Sequence, residues 1–221
     1  MNKPLTHGRS HWETDHGVLA SRPSLDDEDG LLAIIENRFI TPHVDPADTV
    51  FEMGVGIGGG HTSALVLKHC GHLIRGDISQ SMLDSTKSRL GNERVTYIKF
   101  DGLSFAAMPD GAAEVFFCFD SLVYMEPRDI FNYLTQIPRL LSGKRLCVFH
   151  HADMLSDQGF ERFLSDWDKN LLGRRHFQSF SVMTAEIMER FLTFLGYEVI
   201  LKDTWSVPRD CVWVCTAPQA G

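Results

Sequence analysis

The stretch Thr49-Val50-Phe51-Glu52-Met53-Gly54-Val55-Gly56-Ile57-Gly58-Gly59-Gly60 decides the fold of this chain. It opens with apolar residues and runs into a cluster of glycines, and the segment from His61 to Cys70 that follows has helical character. A strand, a glycine turn and a helix in this order allow the backbone to approach a nucleotide closely, because glycine lacks a Cβ and tolerates positive φ. The first turn of the helix directs its free N–H groups at the same place.

The residues around the glycines distinguish between possible ligands. Gly54, Gly56 and Gly59 fit the pattern G-x-G-x-x-G, which alone suits NAD or FAD equally well. Glu52 lies just before the first glycine, where a carboxylate would repel a pyrophosphate but suits a ligand carrying an ammonium and a sulfonium. The spelling Glu-x-Gly-x-Gly-x-Gly, which includes Gly58, resembles motif I of the class I S-adenosylmethionine-dependent methyltransferases.

A second stretch strengthens this resemblance. The segment from His72 to Asp77 is predicted to be a strand, and it ends in an acid about twenty residues beyond the glycines, where a carboxylate can accept both ribose hydroxyls. The resemblance implies that Asp77 binds the ribose and that the apolar residues Ile78 and Met82 lie near the adenine.

The ends of the next two predicted strands add further cofactor positions. In the family, an acid after the third strand accepts the adenine amino group and neighbouring backbone frames the ring, which points to the segment Asp101-Gly102-Leu103. The fourth strand leads into Phe119 and Asp120, where this fold places its fourth motif beside the methyl group. Tyr124 is a further pocket candidate. The nucleobase-methylating signatures Asn-Pro-Pro-Tyr and Asp-Pro-Pro-Tyr are lacking here, which argues against a nucleic-acid substrate.

Ser79 and Thr184 are predicted to cap the helices that follow them, and the fifth strand is predicted from Arg145 to His150.

The end of the chain carries a topological signal. Two predicted strands, 197–205 and 211–216, are joined by a loop too short for a parallel crossover, so they must be antiparallel. A nicotinamide-binding domain would instead continue with a second βαβ half. Together with the resemblance, this implies an α/β fold, namely a Rossmann-like, doubly wound sheet of seven strands with an antiparallel final strand and helices on both faces.

The chain divides into a small N-terminal part and one domain. Residues 1–44 are expected to form an arm and a helix that act as a lid or cap, with Trp12 as either an anchor or a lid residue. Residues 45–221 are the predicted methyltransferase domain. Within it, the aromatic-rich segment 152–182 is predicted to cover the substrate, although its helical spacing also fits a helix packed on the core.

The chemistry implied by the resemblance is in-line methyl transfer, in which positioning supplies most of the effect. A base is needed only where the acceptor must lose a proton, and His150 and His151 are the candidates because a neutral imidazole accepts protons near physiological pH. Strand alternation sends the two rings to opposite faces, so at most one is expected in the pocket. Packing roles are the alternative. A third alternative is a metal site formed by Asp120, Asp153 and either His150 or His151, but the acidic pattern of the family's metal-dependent members is not matched, and no metal is predicted.

Composition and charge limit the classes of acceptor and partner that suit this chain. A net charge of −8 disfavours nucleic acid as a partner. Five cysteines without C-x-x-C spacing are typical of reduced thiols, and no secretory signal or apolar membrane span is apparent. We expect a cytoplasmic enzyme, monomer or homodimer, that methylates an oxygen or nitrogen of a small molecule and releases S-adenosylhomocysteine. The alternatives are a protein or RNA methyltransferase, a nucleotide-binding oxidoreductase and a non-catalytic S-adenosylmethionine-binding protein.

Overall fold

The structure, a computed structural model, describes residues 28–54, 60–173 and 179–220. The predictions for Trp12 and the rest of the arm up to residue 27, and those for Gly56 and Gly58, lie outside these ranges.

Strands and helices alternate through most of the described residues. The strands are β1 (Thr49–Met53), β2 (His72–Asp77), β3 (Val95–Lys99), β4 (Ala113–Cys118), β5 (Leu141–Ala152), β6 (Glu198–Asp203) and β7 (Asp210–Thr216). The α-helices are α1 (Glu28–Ile34), α2 (His61–His69), α3 (Gln80–Leu90), α4 (Pro127–Leu140), α5 (Asp157–Leu164) and α6 (Ala185–Leu195). A π-helical turn, Ile35–Ile40, extends α1, and 3-10 turns lie at Leu122–Tyr124 and Trp167–Gly173.

All seven strands form one sheet in the order β3-β2-β1-β4-β5-β7-β6. The first five strands pair in parallel, whereas β7 is antiparallel to both of its neighbours, β5 and β6. This confirms the predicted seven-stranded sheet with an antiparallel final strand. It also confirms that a short connection between the last two strands makes them a hairpin.

Helices cover both faces of the sheet, as predicted. Phe116 on β4 belongs to the core cluster that contains Ile130 of α4 and Met188 of α6. Its neighbour Phe117 belongs to the opposite cluster, which contains Val66 of α2. The alternation of side chains along one strand thus feeds two separate apolar cores.

Capping residues define two of the helices as the sequence predicts. The Ser79 Oγ accepts a hydrogen bond from the Met82 N–H at the start of α3, and the Thr184 Oγ1 accepts one from the Ile187 N–H at the start of α6. Gly196, with φ of 79°, ends α6 in the left-handed conformation that glycine adopts without strain.

One strand is longer than predicted. The prediction starts β5 at Arg145, but β5 begins at Leu141. The pairing with β4 shifts register between Ala113, which faces Leu141, and Val115, which faces Leu146. Irregular backbone at the start of a strand is a tertiary feature that hydrophobic periodicity does not register.

Candidate functional site

The carboxyl ends of the parallel strands meet at one edge of the sheet. Gly54, Asp77, Asp101 and Asp120 each end or closely follow one of the strands β1 to β4. The Gly54 N–H donates to the Gly76 carbonyl at 2.8 Å, which joins the end of β1 to the end of β2. The four predicted cofactor motifs therefore lie along the edge where doubly wound sheets bind their ligands.

Glycine is required at the start of the turn after β1. Gly54 has φ of +79°, and a Cβ at this position would overlap the Ser121 Oγ and lie 2.5 Å from the Ser121 Cβ. At the far end of the turn, Gly60 has φ of +94° and precedes α2, whose N-terminus no side chain among the described residues caps. Its first-turn N–H groups could therefore bind an anionic group of a ligand.

Glu52 lies beneath this turn as one half of a buried ion pair. Its side chain is 1% exposed, and its Oε2 lies 3.1 Å from Nη1 of Arg75, which is also fully buried. Thr62 in the first turn of α2 donates to the Glu52 Oε1 at 3.2 Å, and Arg75 Nη1 donates to the Gly54 carbonyl at 2.7 Å. Burial raises the pKa of Glu52, and the Arg75 guanidinium partly offsets that rise. The pair thus links β1, β2 and α2 at the base of the turn.

Asp77 stands at the end of β2 with a defined orientation. Its Oδ1 accepts the Ser79 N–H at 2.8 Å, while its side chain is partly exposed. The side chains of Ile78 and Met82, on either side of the helix start, are also partly exposed. A carboxylate beside two accessible apolar groups could bind a nucleoside, with hydrogen bonds to the sugar and contact with the base.

The loop after β3 presents an apolar side chain in a similar way. Asp101 Oδ1 accepts the N–H groups of both Leu103 and Ser104, at 2.8 and 2.7 Å. Gly102, with φ of +80°, turns the backbone between them. Leu103 is left 49% exposed at this edge of the sheet.

The end of β4 is tied to β5 and β7 through His150. Asp120, with φ of 56°, donates its backbone N–H to the His150 Nε2 at 2.6 Å. On the other side of the ring, Nδ1 lies 3.1 Å from Oδ2 of Asp210. Arg209 donates to both oxygens of this carboxylate, from Nε to Oδ1 at 3.1 Å and from Nη2 to Oδ2 at 2.7 Å. The imidazole also stacks on Phe119 at 4.4 Å between ring centroids. The Nε2 of His150 therefore accepts a hydrogen bond, whereas Nδ1, in a side chain only 2% exposed, has the Asp210 carboxylate as a close polar contact without hydrogen-bond geometry.

Asp210 is ionised within this network. Burial raises its pKa, but His150 and Arg209 outweigh that effect and hold the pKa below its ordinary value.

His151 points to the opposite face, as strand alternation predicts. Its Nε2 accepts the Trp213 indole N–H at 2.9 Å, and its Nδ1 lies 2.8 Å from the Ala152 carbonyl, to which it donates. The ring is fully buried, and this burial lowers the pKa of His151 to about 4. The structure therefore places a neutral, satisfied histidine in the core and does not bring it to the edge with the other predicted site residues.

Tyr124 and the described part of segment 152–182 lie over the ends of β4 and β5. The Tyr124 ring meets the Phe180 ring edge-on at 5.4 Å, and the guanidinium groups of Arg162 and Arg209 lie 4.9 and 4.5 Å from the same Phe180 ring. The Ser181 N–H donates to the Val123 carbonyl at 2.8 Å, which fixes the segment to the loop after β4. Burial raises the pKa of Tyr124, so its hydroxyl stays protonated.

Three residues of this edge have no counterpart in the sequence predictions: Arg75, Arg209 and Asp210. Two of them carry a signal that could have been used, because Arg75 lies inside an apolar strand and Asp210 directly precedes one. A charged residue in such a position is normally buried together with a partner.

The described residues contain no helix with the length and apolarity needed to cross a membrane. They also contain no cluster of three histidine, cysteine, aspartate or glutamate side chains placed to bind a metal ion.

Comparison with known proteins places this arrangement in a recognised group. Residues 53–144 match a family model described as a methyltransferase domain. No curated protein matches the chain significantly.

The fold of the whole chain has many counterparts among solved structures. Magnesium protoporphyrin IX methyltransferase from Synechocystis PCC 6803, with bound SAH, is 12% identical with a TM-score of 0.69, over 96% of this chain and 99% of that one. DhpI in complex with SAM and HEP is 16% identical with a TM-score of 0.68, over 97% and 99%. The putative methyltransferase bound to the Trm112 activator in Haloferax volcanii is 12% identical with a TM-score of 0.68, over 98% and 99%.

The matched domain contains the glycine turn at its start, the acid after β2 and the strand end that carries Asp120. The fold of this chain matches these neighbours over nearly their full length. The chain thus has the fold of class I, S-adenosylmethionine-dependent methyltransferases, and its residues 53–144 match a methyltransferase domain.

Proposed function

We propose that this chain transfers the methyl group of S-adenosylmethionine to an oxygen or nitrogen of a small-molecule acceptor. The observation that carries the proposal is the division of one sheet edge into two parts. The ends of β2 and β3 present the carboxylates of Asp77 and Asp101 beside accessible apolar side chains, which fit the cofactor, whereas the ends of β4 and β5 lie under the aromatic side chains of Tyr124 and Phe180.

The residues at the cofactor end fit S-adenosylmethionine chemically. Asp77 would accept the ribose hydroxyls, and Ile78, Met82, Asp101, Gly102 and Leu103 would hold the adenine. A Cβ at Gly54 would overlap Ser121, so packing against the loop after β4 requires glycine at the start of the turn. When bound, the cofactor supplies a methyl group on a positively charged sulfur.

The amino-acid part of the cofactor belongs near the glycine turn. Its carboxylate would bind at the N-terminus of α2, where Gly60 provides no side-chain cap, and Glu52, whose charge Arg75 balances, supports the turn from beneath. Phe119 and Asp120 lie at the boundary between the cofactor and acceptor parts of the edge.

The acceptor end favours a small, partly apolar molecule. Phe180 and Tyr124 form its walls, with the guanidinium groups of Arg162 and Arg209 against the Phe180 ring. A net charge of −8 opposes binding of a polyanion such as RNA. Segment 152–182 serves as the cover of this end.

Catalysis in this proposal depends on alignment of the acceptor with the methyl group. Neither His150 nor His151 acts as the base in this conformation, because hydrogen bonds or close polar contacts occupy the nitrogens of both rings.

Calorimetry tests the cofactor part of the proposal first. The purified protein is titrated with S-adenosylmethionine, S-adenosylhomocysteine and NADH, and we expect the two sulfur nucleotides to bind and NADH to give no heat. Binding of NADH alone would replace the proposal with the oxidoreductase alternative.

Methyl-labelled S-adenosylmethionine then tests the acceptor class. The protein is incubated with panels of phenols, alcohols, amines and carboxylic acids, and in parallel with protein and RNA extracts. We expect label in a small molecule. Label in protein or RNA alone would select the macromolecular alternative, and cofactor binding without any transfer would indicate a non-catalytic binder.

A further inference from the structure

We propose that His150, Asp210 and Arg209 form a clamp that fixes the backbone of Asp120 and presents its carboxylate to the acceptor. In this proposal, which rests on the proposed function, His150 is a positioning residue, and the acceptor is a molecule with an O–H or N–H group that hydrogen-bonds Asp120.

The first observation is the conformation of Asp120. With φ of 56° it lies in the left-handed region, which costs a non-glycine residue about 1 kcal/mol or more. Arg145 is the other residue besides glycine with positive φ in the described part of the chain, and it lies near the opposite end of β5. Such strain persists where surrounding contacts over-determine it.

The second observation is the hydrogen bond that holds this conformation. The Asp120 N–H donates to the His150 Nε2 at 2.6 Å, so Nε2 must carry a lone pair and Nδ1 must carry the proton. Asp210 Oδ2, 3.1 Å from Nδ1, favours this tautomer. A carboxylate beside Nδ1 thus leaves the lone pair of Nε2 to accept the Asp120 N–H.

The third observation is the anchoring of the carboxylate itself. Asp210 is fully buried, and Arg209 contacts both of its oxygens, at 3.1 and 2.7 Å. The Arg209 side chain then continues to the Phe180 ring at 4.5 Å, so the clamp extends from the strand ends to the aromatic cover.

The fourth observation is where the side chain of Asp120 goes. It is 36% exposed, and its Oδ1 lies 3.6 Å from the His150 Nε2 and 3.9 Å from the Arg209 Nη2. These distances exceed hydrogen-bonding range, so the clamp holds Asp120 by its backbone while its carboxylate remains accessible to solvent. An accessible carboxylate next to the aromatic cover selects an acceptor that donates a hydrogen bond.

Nuclear magnetic resonance of the unliganded protein tests the clamp without any acceptor. With nitrogen-15 labelling, we expect His150 to be protonated at Nδ1 and unprotonated at Nε2, with a coupling across the hydrogen bond to the Asp120 amide. Protonation at Nε2, or no coupling, would overturn the proposal.

Enzyme variants test its consequence. His150→Leu removes the acceptor atom and is expected to lower turnover of the acceptor found in the label screen by about a hundredfold, the effect of a misplacement of roughly 1 Å. Its Kd for S-adenosylhomocysteine should change by no more than about twofold, as expected for an uncoupled site. His150→Gln can offer an amide oxygen near the Nε2 position and is expected to restore most of the turnover.

Controls separate positioning from folding. Met188→Ala opens the core on the other face of the sheet and should lower stability while turnover per folded molecule is retained. If His150→Leu does not fold, the variants Asp210→Asn and His150→Gln still test the clamp. Turnover of Asp210→Asn equal to that of the wild type would contradict it. If the wild type methylates none of the small molecules, the proposed function fails, and the resonance experiment alone decides the clamp.

Discussion

Arg75 lies directly opposite Glu52 on the neighbouring strand, and the two side chains form an ion pair at 3.1 Å that is almost fully removed from water. Removing one partner of such a pair leaves an uncompensated charge in the core. We expect Arg75→Met to lower the free energy of unfolding by about 3–5 kcal/mol, measured by urea denaturation.

The exposed pair Lys202–Glu189 provides the control for this prediction. Its nitrogen–oxygen distance, 2.7 Å, is shorter, yet Lys202→Met should cost only about 1 kcal/mol or less because water screens both groups. Adding Glu52→Gln to Arg75→Met should recover part of the loss. If Arg75→Met alone were as stable as the wild type, the unpaired charge of Glu52 would be tolerated in the core.

Gly54→Ala should damage both stability and cofactor binding. The new Cβ would overlap Ser121, and the residue would also have to adopt φ of +79°. The two causes can be separated with a double-mutant cycle in which Ser121→Gly removes the overlap and leaves the φ strain. We expect Ser121→Gly to rescue Gly54→Ala partly, and strictly additive losses would mean that the overlap is relieved by movement of the loop.

Asp77→Ala should weaken binding of S-adenosylmethionine by about 1–3 kcal/mol, because the ribose hydroxyls would lose their acceptor. Asp84→Ala is the matched control, since Asp84 is an exposed aspartate nearby, in α3, that accepts a hydrogen bond from Gln80. Calorimetry compares the two variants. Equal affinities of Asp77→Ala and the wild type would remove Asp77 from the proposed cofactor site.

His151 should make the protein less stable as the pH falls below neutrality. Its pKa is about 4 in the fold against 6.5 as the ordinary value, so between these values the unfolded chain binds a proton that the folded chain does not. Stability therefore falls as pH decreases through this window, by about 2 kcal/mol between pH 6.5 and pH 5. Urea denaturation at both pH values should show a smaller difference for His151→Gln, whereas an unchanged difference would exclude this histidine as its source.

The order of elements could be read from the sequence because local signals agree with the fold. Ser79 and Thr184 are predicted as caps and act as caps, and the glycine turn, the acid at Asp77 and the strand end at Asp120 follow from spacing along the chain. These features depend on residues within a few positions of one another, which a single sequence displays.

The environment of the two histidines could not be read in the same way. Alternation along β5 predicts that their rings diverge, but it does not say that β7 is the strand beside them. The partners of His150 lie 30 and 60 residues away along the chain, at Asp120 and Asp210. Which ring nitrogens are free to accept a proton therefore depends on the neighbouring strands and their register. For this reason the sequence predicts two candidate bases, whereas in the structure polar groups of the protein lie against both imidazole rings.

Because β7 is antiparallel to its neighbours, residues from two distant parts of the chain meet at one edge of the sheet. Because β7 runs against its neighbours, its first residue, Asp210, reaches the functional edge, together with the hairpin loop that precedes it. The predicted cofactor motifs lie between β1 and the end of β4, whereas this loop lies near the end of the chain. We therefore expect that substitutions between β6 and β7 alter the proposed acceptor side and leave the predicted cofactor motifs unchanged.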